Sequence, residues 1–187
     1  MTLDQLITKK RDNALIKATL SGDSKAFSKL ISYHKKRVQA LGMSFFKNEA
    51  DTEDFEQEVF LKAYTNLATF KGDSSFPTWL MTIAYNTAVN AKSRRKEYLP
   101  ISDEENIEDT SITPEKNQIR ELTVLAVREA VRDLPEKFKI CVELYFFYDN
   151  SHAEISKITG EPINTIKSHI FRAKKILRER LRSYYEE

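Results

Sequence analysis

The 187-residue chain has few of the residues that interrupt helices or form cross-links: 4 glycines, 5 prolines and 1 cysteine. A single cysteine, Cys141, excludes an internal disulfide framework and favours a reducing compartment. Because Cys141 lies in an apolar run, we expect it to be a small core residue. Sparse glycine and proline, with few alternating apolar runs, predict helices throughout.

Long hydrophobic runs and common catalytic motifs are also missing. No stretch approaches the roughly 20 apolar residues of a membrane-spanning helix, and the N-terminal MTLDQLITKKRDN has no apolar signal-peptide core. We therefore expect a cytoplasmic protein without membrane insertion. His34, His152 and His169 are scattered, and neither HExxH, GxGxxG nor a Walker loop occurs. The sequence thus predicts no enzymatic activity, no cofactor and no metal.

Charge divides the chain into three zones, although the net charge is only +2. Residues 1–97 carry 16 basic and 11 acidic side chains, residues 98–120 carry 2 and 6, and residues 121–187 carry 12 and 11. The middle zone has two prolines and few large apolar residues, which is typical of a flexible tether. The prediction is an all-α protein in which two small helical domains, 1–97 and 121–187, are joined by a flexible acidic linker, 98–120.

The segment SHAEISKITGEPINTIKSHIFRAKKILR, residues 151–178, has the pattern of a helix-turn-helix. Ser151 and Glu154 have capping-box spacing, Gly160 suits the turn, and Pro162 suits the start of a second helix. Residues recurring every three or four positions form the buried stripe of that helix: Ile166, Ile170, Ala173, Leu177 and Leu181.

The outer side of the second helix is polar and basic, as in a helix that enters the major groove of DNA. An ordinary helical hairpin with a solvated basic face is the alternative reading of the same pattern. The side chains predicted to lie on this outer side are Thr165, Ser168, His169, Arg172 and Lys175.

An acidic run lies in the first domain, where residues 49–58 hold six acidic side chains and no basic one. A helix is predicted from near Thr52, with Asp54, Gln57, Glu58 and Leu61 sharing one side. Acidic residues stabilise a helix N-terminus, which accounts for part of the run. A docking surface for a basic partner is the other reading, and it also accounts for Gln57.

A third pattern follows at 70–98. The loop FKGDSSFPTW leads into a helix with Pro77 in its first turn, and Asn86 and Asn90 share a face of that helix. The helix then runs into four cations within residues 92–96. An aromatic loop, an amide face and a cationic end favour single-stranded or opened nucleic acid, although amides on a solvated surface are the simpler explanation.

Taken in order, these segments resemble an extracytoplasmic-function (ECF) sigma factor of the sigma-70 family. The matching stretches are SGDSKAFSKL, DTEDFEQEVFLKAY, FKGDSSFPTWLMTIAYNTAVN and INTIKSHIFRAKKILR. The resemblance implies a first domain that binds the RNA polymerase clamp and reads the minus-ten promoter element as melted strand. It implies a second domain that docks on the polymerase flap and reads the minus-thirty-five element as duplex. A stand-alone helix-turn-helix regulator is the alternative.

The residue patterns and the resemblance together give the candidate site residues. The candidates for polymerase binding are Asp54, Gln57, Glu58 and Leu61. The candidates for the minus-ten element are Lys71, Ser74, Phe76, Trp79, Asn86, Asn90, Arg94 and Arg95. The candidates for the minus-thirty-five element are Thr165, Lys167, Ser168, His169, Arg172 and Lys175. The resemblance itself matches, by position, Asp54, Gln57, Glu58, Asn86, Asn90, the 71–78 loop, Thr165, Lys167, Ser168 and Arg172. Asn164 and His169 replace a frequent Gly and Arg of the family, so a different minus-thirty-five preference is expected. An anti-sigma factor is a further partner that the family suggests.

Overall fold

A computed structural model describes the backbone of residues 3–98 and 118–182 and the side chains of residues 6–94 and 124–182. Every regular element in those ranges is helical, which confirms the all-α prediction. The chain divides into two compact units, Met1–Glu105 and Asn106–Glu187. The predicted linker falls almost entirely outside the described residues. Its positions 98 and 118–120 are the ones described, and they are helical.

Within residues 3–98, the first unit has four long helices. They are α1 (Leu3–Leu20), α2 (Ser24–Phe46), α3 (Glu49–Asn66), followed by a 3-10 turn at Leu67–Thr69, and α4 (Phe76–Tyr98). Helix α2 packs against the other three. Asp23 caps it, since its carboxylate accepts hydrogen bonds from the N–H groups of Lys25 and Ala26. Helix α3 begins before the predicted start near Thr52, because Asn48 caps it.

Helices α2 and α3 approach closely at Gly42. A Cβ atom at this position would lie 2.8 Å from Phe55 Cδ1 and 2.8 Å from Thr52 Cγ2, so a larger residue would push the helices apart. The surrounding core is apolar and closely packed. Its most completely buried members, all with no more than 1% exposure, are Leu30, Val38, Leu41, Val59, Ala63, Leu67, Leu80, Met81, Ala84 and Ala88.

Residues 118–182 of the second unit form four further helices. They are α5 (Gln118–Arg132), α6 (Glu136–Val142), which continues into a π-helical turn at Glu143–Phe147, α7 (His152–Thr159) and α8 (Ile163–Arg180). Helix α8 packs on α5, α6 and α7. One core cluster joins Val131, Leu134 and Val142 to Ala173 of α8. No helix in the described ranges is both long enough and apolar enough to cross a bilayer.

Candidate nucleic-acid and polymerase interfaces

Helices α7 and α8 form the helix-turn-helix that the sequence predicted. The capping box is present: the Ser151 hydroxyl accepts from the Glu154 N–H, and the Glu154 carboxylate accepts from the Ser151 N–H at 2.9 Å. Gly160 ends α7 with a φ of 76°, a left-handed conformation that favours glycine. The Ser156 hydroxyl then donates to the Glu161 carbonyl at 2.6 Å and fixes the turn.

Of the α8 stripe predicted to be buried, the first three residues lie in the core, whereas Leu177 and Leu181 are half-buried. Ile166, Ile170 and Ala173 are no more than 3% exposed. Of the predicted minus-thirty-five contacts, Lys167, Arg172 and Lys175 are exposed, whereas Thr165 and Ser168 are half-buried. The helix therefore presents cationic and hydroxyl-bearing side chains on the side opposite its buried stripe.

His169 departs from its predicted place on the outer side. Its side chain is only 14% exposed, and its ring packs on Phe138 with centroids 5.3 Å apart. Its Nδ1 atom lies 3.2 Å from Glu161 Oε2 and 3.8 Å from Cys141 Sγ. The helical periodicity explains this, because position 169 is adjacent to the buried Ile170 and one turn before Ala173. In this structure His169 is thus a packing residue at the edge of the exposed side of α8.

The cysteine prediction was correct, since Cys141 is 2% exposed. Burial, and secondarily the nearby Glu161 carboxylate, raise the pKa of the Cys141 thiol to about 12. The neutral thiol is therefore the form present near neutral pH.

Two cations of α8 are engaged with neighbouring groups rather than with solvent alone. Lys174 Nζ lies 5.2 Å from the ring centroid of Phe146, and Arg180 Nη1 lies 3.3 Å from Asp133 Oδ2. Arg178, between them in the chain, is exposed.

The sequence patterns did not single out Phe171, which is 73% exposed on the outer side of α8. Phe171 lies three residues after Ser168 and therefore on a similar side of the helix, and this spacing could have indicated its exposure.

The acidic side of α3 is exposed as predicted. Asp54, Gln57 and Leu61 are exposed, and Leu61 retains 64% of its surface. Glu58 is half-buried and forms an ion pair with Lys62 at 2.6 Å. An exposed leucine amid acidic and amide groups gives this surface an apolar centre with a polar rim, which is the composition of a protein interface.

The loop before α4 surrounds an aromatic cluster of Phe70, Phe76 and Trp79, whose ring centroids are 5.4 to 5.9 Å apart. Phe76 is only 3% exposed, so it supports the cluster and is not placed to touch DNA. Trp79 is half-buried, Lys71 is exposed, and Ser74 is half-buried. Phe76 therefore packs beneath the predicted minus-ten surface and is not itself exposed on it.

Helix α4 carries the predicted amide pair on its surface. Asn86 and Asn90 are exposed, and so is Arg94 one turn further on. The side chain of Arg95, also predicted to contact DNA, lies outside the described residues. Thr82 Oγ1 donates to the Thr78 carbonyl at 3.0 Å within the same helix, so its hydroxyl is already partnered.

A buried polar pair beneath this surface was missed at the sequence level. His34 Nε2 lies 3.0 Å from Asp12 Oδ2, and the His34 ring lies 5.4 Å from that of Phe76. His34 stands four residues after Leu30 and four before Val38, so its place on the apolar side of α2 was the available signal. The pair links α1 and α2 to the aromatic cluster.

Comparison with known families follows the two structural units. The model for Sigma-70 region 2 matches residues 30–98, and the model for Sigma-70 region 4 matches residues 125–177. The region 2 match covers most of α2 and all of α3 and α4. The region 4 match covers the helix-turn-helix up to residue 177. The two matches therefore lie in different structural units.

Curated relatives match over nearly the whole chain. The RNA polymerase sigma-H factor of Pseudomonas aeruginosa is 30% identical, over 97% of this chain and 100% of the relative. The ECF RNA polymerase sigma-E factor of Haemophilus influenzae is 33% identical, over 91% and 95%. The sigma-E factor of Escherichia coli K12 is 34% identical, over 89% and 92%.

Solved structures share the fold. A complex of CnrH with the cytosolic domain of CnrY matches with a TM-score of 0.67 and 21% identity, over 92% of this chain and 98% of that one. The Bartonella quintana sigma factor RpoE, in complex with the anti-sigma factor NepR, matches with a TM-score of 0.69 and 24% identity, over 87% and 99%.

Proposed function

This chain belongs to the sigma-70 family as an ECF sigma factor, and we propose that its domains read the two promoter elements in different states of the DNA. As a sigma factor it is a non-enzymatic initiation factor that binds core RNA polymerase and directs it to specific promoters. The stand-alone regulator is not favoured, because the region 2 match accounts for a whole domain that such a regulator does not need.

We assign the minus-ten element to the exposed side of α4 and the loop before it. Asn86 and Asn90 can donate and accept hydrogen bonds at base edges, while Lys71 and Arg94 neutralise phosphates. Trp79 is half-buried beside Phe76, so an aromatic wall borders this surface. Extruding a base from the stack costs a few kcal/mol, which hydrogen bonds and stacking can offset.

The minus-thirty-five element is assigned to the outer side of α8. Arg172 and Ser168 lie one turn apart, and both residue types pair with base edges in the major groove. Lys167 and Lys175 are exposed on either side and suit phosphates. Phe171, between them, offers an apolar contact for a thymine methyl group.

Polymerase binding is assigned to the α3 surface of Asp54, Gln57, Glu58 and Leu61, which we place on the clamp, while the second unit docks on the flap. Leu61 would supply the apolar centre, and Asp54 would steer a basic partner. Anchoring one domain raises the effective concentration of the other at its promoter element. Two individually weak DNA contacts can then give a specific complex.

We also propose cytoplasmic action at the nucleoid and control by an anti-sigma factor. The structural relatives CnrH and RpoE were each solved in complex with another protein, which in the second case is an anti-sigma factor. In this chain the exposed Leu61 and Tyr64, 64% and 50% exposed, are apolar surface that a partner would cover. Affinity purification from the native host, with identification of bound proteins, tests this point.

The observation that carries the proposal is the exposed amide pair of α4, in a domain whose α3 exposes an acidic surface with an apolar centre. The test is run-off transcription with core polymerase on a library of randomised promoters, with permanganate probing of unpaired thymines. We expect transcripts from a defined promoter class and opening near the minus-ten element only when polymerase and this protein are both present. Sequence-specific duplex binding by the free protein, without transcription, would instead indicate a stand-alone regulator.

A further inference from the structure

Three elements of the second unit bring a thiol, a carboxylate and an imidazole together. Cys141 belongs to α6, Glu161 to the turn between α7 and α8, and His169 to α8. Cys141 Sγ lies 3.8 Å from His169 Nδ1, which lies 3.2 Å from Glu161 Oε2. One potential ligand atom from each residue lies within 4.8 Å of the other two. The residues are far apart in sequence, so the fold creates this cluster.

We propose that Cys141, Glu161 and His169 bind a zinc-class transition-metal cation. Thiolate sulfur, imidazole nitrogen and carboxylate oxygen are all established Zn²⁺ ligands, with bonds of about 2.0 to 2.3 Å. Tetrahedral angles then place ligand atoms roughly 3.3 to 3.6 Å apart. The two distances between these side chains lie within a few tenths of an ångström of that spacing. Magnesium and calcium are disfavoured, since both prefer oxygen ligands.

The burial of the three side chains suits a site with one open position. Cys141 is 2% exposed, whereas the side chains of His169 and Glu161 are 14% and 32% exposed. The cation would therefore be enclosed on the Cys141 side and accessible on the Glu161 side, where a water molecule can complete the tetrahedron. Entry requires movement of one surface carboxylate, not unfolding of the domain.

The surroundings of the three residues hold them in place. Cys141 is buried in the core, the His169 ring packs on Phe138, and the Glu161 backbone carbonyl accepts the Ser156 hydroxyl at 2.6 Å. Residues on packed elements lose little conformational entropy when they bind a ligand.

Binding of the cation releases the proton of the Cys141 thiol to solvent. The cation displaces the proton from Cys141 Sγ, which then binds as thiolate. His169 binds through the Nδ1 lone pair as the tautomer whose ring proton is on Nε2, so a proton that bridges Nδ1 to Glu161 before binding leaves Nδ1. Glu161 binds through its existing negative charge. A bound cation would link α6, the turn and α8, and so fix the recognition helix on its support.

The inference is tested on the free, full-length, tag-free protein, so its outcome does not depend on the proposed role with polymerase. After chelation and dialysis, Zn²⁺ binding is measured by calorimetry, and Co²⁺ binding by visible absorption with a thiolate-to-cobalt charge-transfer band. We expect one equivalent of metal and a Zn²⁺-dependent rise in the thermal midpoint. Cys141→Ser should abolish the charge-transfer band.

Two further variants keep the test decisive if Cys141→Ser fails to fold. Glu161→Gln changes a partly exposed turn side chain and should weaken Zn²⁺ binding at least about tenfold. His152→Gln is the matched control: it removes a histidine of the same domain whose ring stacks on Tyr145, so it should bind Zn²⁺ like the unaltered chain. Absence of stoichiometric metal binding, or equal binding by Glu161→Gln, would show that the cluster is only an ion pair beside a core thiol.

Discussion

His34 Nε2 of α2 lies 3.0 Å from Asp12 Oδ2 of α1, and both side chains are almost completely buried. Arg11 Nη2 lies 2.8 Å from the other carboxylate oxygen, Asp12 Oδ1. The His34 ring also faces Phe76, which supports Trp79. A buried polar contact between two helices thus underlies the surface assigned to the minus-ten element.

The first prediction concerns this contact. His34→Ala removes a buried partner of Asp12 and leaves a cavity beside Phe76, so the free energy of unfolding should fall by about 3 kcal/mol. Urea denaturation measures the change. Lys36→Ala, on the exposed side of the same helix, should change it by less than about 0.5 kcal/mol. Equal stabilities for the two variants would mean that the buried pair contributes nothing.

The second prediction concerns the acidic side of α3. Asp54→Lys reverses an exposed charge on the same side of α3 as Leu61 and should weaken core-polymerase binding about tenfold, with little loss of stability. Glu49→Lys makes the same charge change on a different side of α3 and is the control. Binding is measured by fluorescence anisotropy of the labelled protein. If both variants bind equally well, the surface is wrongly assigned.

The third prediction concerns the amide pair on α4. Asn86→Ala should relax preference at one base of the minus-ten element, by about 1–3 kcal/mol if a paired hydrogen bond is lost, taking the duplex figure as a guide. Transcription from promoters altered at single positions gives the preference. Asn13→Ala, an exposed amide on α1, should leave it unchanged. Uniform loss of activity at every base would make Asn86 a structural residue.

The fourth prediction separates base reading from phosphate contact on α8. Arg172→Ala should lower discrimination at one or two bases of the minus-thirty-five element. Arg178→Ala should weaken binding about uniformly across sequences and reduce the salt slope by about one unit. Holoenzyme binding to matched and mismatched duplexes over a salt series tests both. An unchanged matched-to-mismatched ratio for Arg172→Ala contradicts the assigned face.

The fifth prediction concerns Phe171. Because its ring is 73% exposed, Phe171→Ala should not lower the free energy of unfolding by more than about 0.5 kcal/mol. It should reduce the preference for thymine over uracil at one minus-thirty-five position, since uracil lacks the methyl group. Duplexes with single thymine-to-uracil replacements measure this. The same thymine preference in the variant would exclude a methyl contact.

Local sequence determined much of the fold. Capping by Asp23 and Ser151, the turn at Gly160 and the stripe of Ile166, Ile170 and Ala173 depend on residues within a few positions of each other. Their periodicity and spacing are therefore readable without knowing the tertiary structure. The same holds for the exposure of Asn86, because a polar residue opposite an apolar stripe faces solvent.

Tertiary packing decided the rest. The pairing of Asp12 with His34 joins two helices, and the burial of Phe76 depends on its neighbours Phe70 and His34. The cluster of Cys141, Glu161 and His169 joins three elements. Sequence spacing carries no signal for such groupings, because side chains of distant segments meet only after the helices have packed. The same packing decides which part of each side chain stays exposed to solvent.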